Sequence, residues 1–248
     1  MRIGEHVESV SEQGAALLDA ARAAGLDADV PTCPGWTVRS LLGHVGTVHR
    51  WAATFVRDGM AATAGGTHPR TAEAPADGLE EWFAEGHHAL VTALTEAAPD
   101  LDCWTFLPAP SPLAFWARRQ AHETAIHRAD AESALCNIPT YEPALAADGI
   151  DEMIAGFMAR NGGRLTADPP VSLAVRPTDV EASWHVLIRP DGRTVSSPAA
   201  APADCTLSGT ASELYLSLWN RPPARQPAVE GDSAVLDLWR AEAQIGWR

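Results

Sequence analysis

Ser111-Pro-Leu-Ala-Phe-Trp-Ala-Arg-Arg-Gln-Ala-His-Glu123-Thr-Ala-Ile-His127 begins as an ordinary buried helix and then changes character. Ser111 is a favoured N-cap, and Pro112 suits the first helical position. At helical spacing one face runs Leu113, Trp116, Gln120, Glu123, His127, Ala131, in steps of three and four. A face that starts apolar and turns to Gln, Glu and His costs burial energy unless those groups have partners. Glu123 and His127 stand one turn apart on one side, where both reach a single ion.

A second stretch supplies a third donor. In Thr37-Val-Arg-Ser-Leu-Leu-Gly-His44-Val-Gly-Thr-Val-His-Arg-Trp51, an inward stripe of Leu41, Val45 and Val48 encloses His44. His44, Glu123 and His127 form a two-His, one-carboxylate set that leaves a coordination position open. A polar core network is the competing reading, with His44 bonded to a carbonyl and Glu123 paired to an arginine. The other histidines offer less. His122 points about 100° away from Glu123, and His49 falls on a neighbouring face as a rim group at most. His87 and His88 are adjacent, so one is solvated. His6, His68 and His185 carry no spacing signal.

Outward from these stretches the chain reads as five helices followed by a strand-rich tail. Helix one spans about Glu5 to Ala24, with Val7, Val10, Leu17, Leu18 and Ala21 inward and Gly25 as its stop. Helix two runs from Thr37 to about Arg57. The stretch Ala61 to Ala76 reads as a mobile loop. Helix three opens with Asp77 and Glu80 at capping-box spacing and continues through Trp82, Phe83, Leu90 and Leu94. A proline-bearing linker at Cys136 to Pro143 precedes a fifth helix, Ala144 to Arg160, stopped by Gly162-Gly163. The period then changes: Val171 to Val175 and Trp184 to Ile188 alternate as strands, and Asp204 to Leu207 is a third. Ala211 to Trp219 and Asp232 to Ala243 return to helix. The expected architecture is a two-domain α+β chain, with an up-and-down four-helix bundle over residues 1–139 and a small α+β domain over 140–248.

Composition removes several functions. The 248 residues carry a net charge of −14, which opposes a nucleic-acid surface. No lysine occurs, and all 18 basic residues are arginine. Schiff-base, pyridoxal-phosphate and P-loop lysine chemistry are therefore excluded. No apolar run approaches the ~20 residues of a membrane helix, and no signal peptide is evident. Cys33, Cys103, Cys136 and Cys205 are scattered and read as free thiols, so a cytoplasmic protein is expected. Nine tryptophans are present. Trp36, Trp51 and Trp116 fall near the candidate donors, and Trp184, Trp219, Trp239 and Trp247 populate the tail.

Cys33-Pro-Gly-Trp36-Thr-Val-Arg-Ser-Leu-Leu-Gly-His44-Val, with Glu123-Thr-Ala-Ile-His127-Arg-Ala-Asp130, resembles the mycothiol-dependent maleylpyruvate isomerase family of actinobacteria. A looser match is Leu216-Ser-Leu-Trp-Asn-Arg221-Pro. The resemblance covers nearly the whole chain and implies a DinB-like helical bundle followed by a sterol-carrier-like α+β module. It places zinc ligands on His44, Glu123 and His127, and a substrate-meeting catalytic arginine on Arg221. It implies zinc or a similar divalent ion, mycothiol as thiol co-substrate, a small-molecule substrate, and a monomer or weak homodimer. The implied reaction is cis-trans isomerisation by thiolate addition, rotation and elimination. The alternatives are a mycothiol S-transferase for detoxification or natural-product assembly, and a non-catalytic ligand-binding or regulatory module.

Overall fold

The computed structural model of the chain describes residues 1–63, 73–160, 163–197 and 202–245. Part of the Ala61 to Ala76 loop, His68, Gly162 and Trp247 lie outside the described residues. The chain divides into two compact units, Met1–Pro139 and Thr140–Arg248.

The first unit is built on α1 (Ile3–Ala24), α2 (Val38–Asp58), α3 (Leu79–Glu96) and α4 (Pro112–Ser133). α1 packs chiefly on α4, and α2 on α3, while α2 and α4 also meet. Thr37 caps α2 and Ser111 caps α4, each accepting a backbone N–H three residues on. α3 departs from the expected capping box: its N-cap is Gly78 in the left-handed region, with no side-chain cap. The inward face of α1 is also more polar than its apolar periodicity predicts. His6, Ser9 and Gln13 are buried beside Val10, Leu17, Leu18 and Ala21, and Val7 is only half-buried. α4 is the central helix, and its buried residues extend around most of its circumference.

Two helical glycines fix how α2 and α3 pack. The Arg50 guanidinium lies 3.8 Å over the Trp82 ring and donates to the carbonyls of Gly46 and Trp82. A Cβ on Gly46 would strike the Trp82 ring, and one on Gly86 would strike the Arg50 guanidinium.

The second unit opens with α5 (Pro143–Asp151), which continues into a π-helical segment, Glu152–Met158. α5 packs against α6 (Ala211–Leu218) of the same unit. Arg193 closes the end of the π-helical segment by donating to the carbonyls of Met158, Arg160 and Leu165, so late carbonyls of the helical run find a partner. The sheet holds five strands where the sequence suggests three: β1 (Val171–Pro177), β2 (Trp184–Arg189), β3 (Gly192–Ser196), β4 (Cys205–Gly209) and β5 (Ala228–Gly231), in the order β3-β2-β1-β4-β5. β1 and β4 run parallel and the other neighbours antiparallel. The two unforeseen strands are the edges. β5 is exposed along its length, so it has no alternation to read. β3 was signalled only by the Pro190-Asp191-Gly192 turn. The final helix, α7 (Ala234–Glu242), packs on β1.

Candidate metal centre

The segment before α2 makes two successive tight turns. Cys33 N–H bonds to Val30 O and Trp36 N–H to Cys33 O, both at 2.9 Å. In the second turn Pro34 and Gly35 fill the central positions, and Gly35 has φ of +84°. A proline followed by a residue at positive φ is the requirement of a type II turn, which makes Pro-Gly the natural filling. This turn delivers Trp36 to the start of α2. The Trp36 ring stands edge-on to His44 with centroids 5.1 Å apart, and parallel to His127 at 6.5 Å.

His44 on α2 meets Glu123 and His127 on α4, and one donor atom from each lies within 4.8 Å of the other two. Glu123 Oε1 is 3.3 Å from His127 Nε2 and 3.5 Å from His44 Nε2. Ligand bonds of ~2.0–2.1 Å give a tetrahedron with edges of ~3.3–3.4 Å, so these separations suit donors around a shared ion. The opposite oxygen of Glu123 has a different use: Oε2 accepts from Arg119 Nη2 at 3.1 Å, within the bundle core. Oε1 is buried without a hydrogen bond of good geometry. Arg119 accounts for Oε2, and Oε1 faces the two imidazole edges. A cation between Oε1 and the two Nε2 atoms fits this arrangement.

A supporting carboxylate completes the arrangement. Asp130 is fully buried on α4, and its Oδ2 accepts from His127 Nδ1 at 2.8 Å. In the neutral ring this bond leaves the Nε2 lone pair facing Glu123. Burial opposes charge on Glu123, but the His127 and His44 imidazoles beside it, with Arg119, hold it well below the usual carboxylate range. Burial likewise opposes charge on His127, but Asp130 and Glu123 raise it to about 9. Without an ion, a proton on His127 supplies the positive charge that this pocket favours.

His49 differs from expectation. It is no rim group: it is fully buried, and its Nε2 lies 3.0 Å from Thr124 Oγ1. That hydroxyl donates to Gln120 O, so His49 Nε2 carries the proton. Burial, reinforced by His87, pushes the His49 imidazole down to about 3. Val48, expected in the inward stripe, is only half-buried, and His49 takes the inward position instead. Of the three nearby tryptophans, Trp36 meets the donor histidines. Trp51 and Trp116 join Phe55 and Trp104 in an aromatic cluster, with Trp116 fully buried.

Arg221 lies in the second unit, just past α6, where Asn220 takes φ of +58°. Its Nη1 donates to Trp219 O at 2.8 Å. With Ser217, Asn220, Gln226 and Arg240 it lines a cavity of about 410 Å³.

Fold and donor set together define a helical bundle carrying a candidate two-His, one-carboxylate metal centre, followed by an α+β unit. The chain belongs to the mycothiol maleylpyruvate isomerase family: the family's N-terminal domain matches residues 7–132, and its C-terminal domain matches residues 144–238. Among solved structures it is similar to a crystal structure of the mycothiol-dependent maleylpyruvate isomerase and to one of a histidine-to-alanine mutant of that protein. The TM-scores are 0.58 and 0.61, each at 13% identity over 93% of both chains. At that identity the likeness establishes the fold. No curated protein matches the chain. Among the described residues, no helix is long and apolar enough to cross a membrane.

Proposed function

We propose that the chain is a metal-dependent, thiol-using enzyme of the isomerase type, with His44, Glu123 and His127 holding zinc or a similar divalent ion. The observation that carries this reading is the division of labour on Glu123, with Oε2 held by Arg119 and Oε1 aimed between two imidazoles. When bound, a divalent ion at these three residues would lower the pKa of a low-molecular-weight thiol from its free ~8.5 and so supply a nucleophile at neutral pH. Mycothiol is the thiol that family membership favours.

The chain's own residues supply the rest. Glu123 offers one negative charge and the histidines none, so the centre keeps a net charge of +1 with a divalent ion and welcomes an anionic sulfur. Arg119 prevents Glu123 from turning both oxygens to one side. Asp130 holds the His127 proton on Nδ1. On a cis-enedioic substrate, thiolate addition breaks the C=C π bond and moves its electron pair onto the adjacent carbonyl as an enolate. Rotation about the new single bond and expulsion of the thiolate then restore the double bond in trans. Arg221 is the candidate catalytic residue for a substrate carboxylate, in keeping with the arginine, amide and hydroxyl lining of its cavity. No protein cysteine takes part.

Metal analysis, a mycothiol titration and product analysis test the reading together. An isomer supports it, and a stable sulfur adduct makes the chain an S-transferase. A chain that binds neither metal nor thiol is a ligand-binding or regulatory module.

A further inference from the structure

Asp130 is bound in two directions. Oδ2 accepts from His127 Nδ1 at 2.8 Å, and Oδ1 accepts from Thr32 Oγ1 at 2.5 Å. Thr32 stands 98 residues earlier, inside the first of the two tight turns, and its hydroxyl also lies 3.2 Å from Ser133 Oγ. Ser133 in turn donates to the main-chain carbonyl of Asp130 at 2.7 Å, so the end of α4 meets the same turn residue that donates to the carboxylate. One residue beyond Thr32 begins the Cys33–Trp36 turn, which holds the indole against both donor histidines. The carboxylate that orients a donor imidazole thus also anchors the turn bearing the aromatic ring beside it.

We propose that Asp130 is the positioning residue of the centre, and that through Thr32 it fixes Trp36 as a wall of the open coordination position. The inference rests on the metal reading above and ties Asp130 through Thr32 to Trp36. A carboxylate on Nδ1 fixes the ring's tautomer and orientation and raises the basicity of Nε2, and losing such a partner costs ~10–100-fold in metal affinity. An indole beside the donor set keeps water away from the ligand and can offer its positive ring edge to an anionic sulfur. Trp36 therefore acts on the ligand, while Asp130 acts on the metal and, through Thr32, on Trp36.

The test uses the full chain, stripped of metal and titrated with cobalt(II), whose visible bands report coordination, and then with 2-mercaptoethanol. Asp130→Asn is expected to bind cobalt about 10–100-fold more weakly and to shift those bands. Trp36→Ala is expected to bind cobalt as the parent does but to lose about 3–10-fold in thiol affinity, read from the sulfur-to-cobalt charge-transfer band. Thr32→Val is expected to keep most cobalt affinity and to share the thiol defect. Unchanged cobalt affinity and bands in Asp130→Asn overturn the proposal. Should that variant fail to fold, Thr32→Val decides, and parental thiol affinity there overturns it. A parent chain that takes up no cobalt overturns the metal reading instead, and is seen before any variant is made.

Discussion

Arg119 Nη2 donates to Glu123 Oε2 at 3.1 Å one helical turn away, and this contact turns a two-oxygen carboxylate into a one-oxygen donor. Both groups are buried, so each lowers the cost of the other's charge. Arg119→Met removes the partner of Oε2 and leaves protonated His127 beside Oε1, and should destabilise the metal-free chain by ~1–3 kcal/mol in urea unfolding. Adding Glu123→Gln should restore much of that loss. If the double variant is no more stable than Arg119→Met, the two charges do not depend on one another.

Metal content is the second prediction. The purified chain should carry about one equivalent of zinc or a similar ion, and His44→Ala or His127→Ala should abolish or greatly weaken its retention. Because His127 keeps its proton up to about pH 9 without metal, uptake at pH 7 should release about one proton per ion. An indicator dye in weak buffer measures the release. Full occupancy in the His44→Ala/His127→Ala double variant would remove the assignment.

His49 predicts an acid sensitivity of known sign. Above its ordinary value of 6.5 it is neutral whether folded or unfolded. Below that the unfolded chain binds a proton there, while the folded chain does not until about pH 3. Stability should fall through this window by ~1.4 kcal/mol per pH unit, or ~2 kcal/mol between pH 7 and 5. His49→Gln keeps a donor for Thr124 and should lose correspondingly less in urea titrations at those two pH values. His127 acts in the opposite window: its raised value contributes stability that is complete below 6.5 and disappears as pH rises through about 9.

Arg221→Ala should cut turnover ~30-fold while leaving metal content intact, the loss of about 2 kcal/mol of charge-assisted binding. Steady-state kinetics and metal analysis on one preparation check both halves. Parental turnover in this variant would take Arg221 out of the reaction.

The glycines at the α2–α3 contact give a prediction apart from chemistry. Alanine favours a helix over glycine by ~1 kcal/mol, yet Gly46→Ala and Gly86→Ala should each destabilise by ~1–3 kcal/mol. Each new methyl meets the Arg50–Trp82 stack rather than open space. A gain in melting temperature would show that the stack yields cheaply.

The bundle, the helix cap at Ser111 and the three central strands are legible in the sequence, because each rests on local periodicity or local cap chemistry. The trio His44, Glu123 and His127 stands out for the same reason: polar donors interrupt apolar stripes. Its supports do not. Arg119 lies off the periodic face that runs Leu113, Trp116, Gln120, Glu123, His127, and its burial shows only once the helices pack. The role of Asp130 depends on Thr32 from a distant turn, and the burial of His49 depends on how α2 and α4 happen to cross. The edge strands β3 and β5 lack the buried face that would mark them.

Arg119, Glu123, His127 and Asp130 occupy consecutive turns of one helix that neighbours enclose along most of its circumference. Such a segment tolerates little drift, because almost any replacement within it meets packed atoms. Substitutions that retune this chain are therefore accommodated more readily at its exposed positions than within this span.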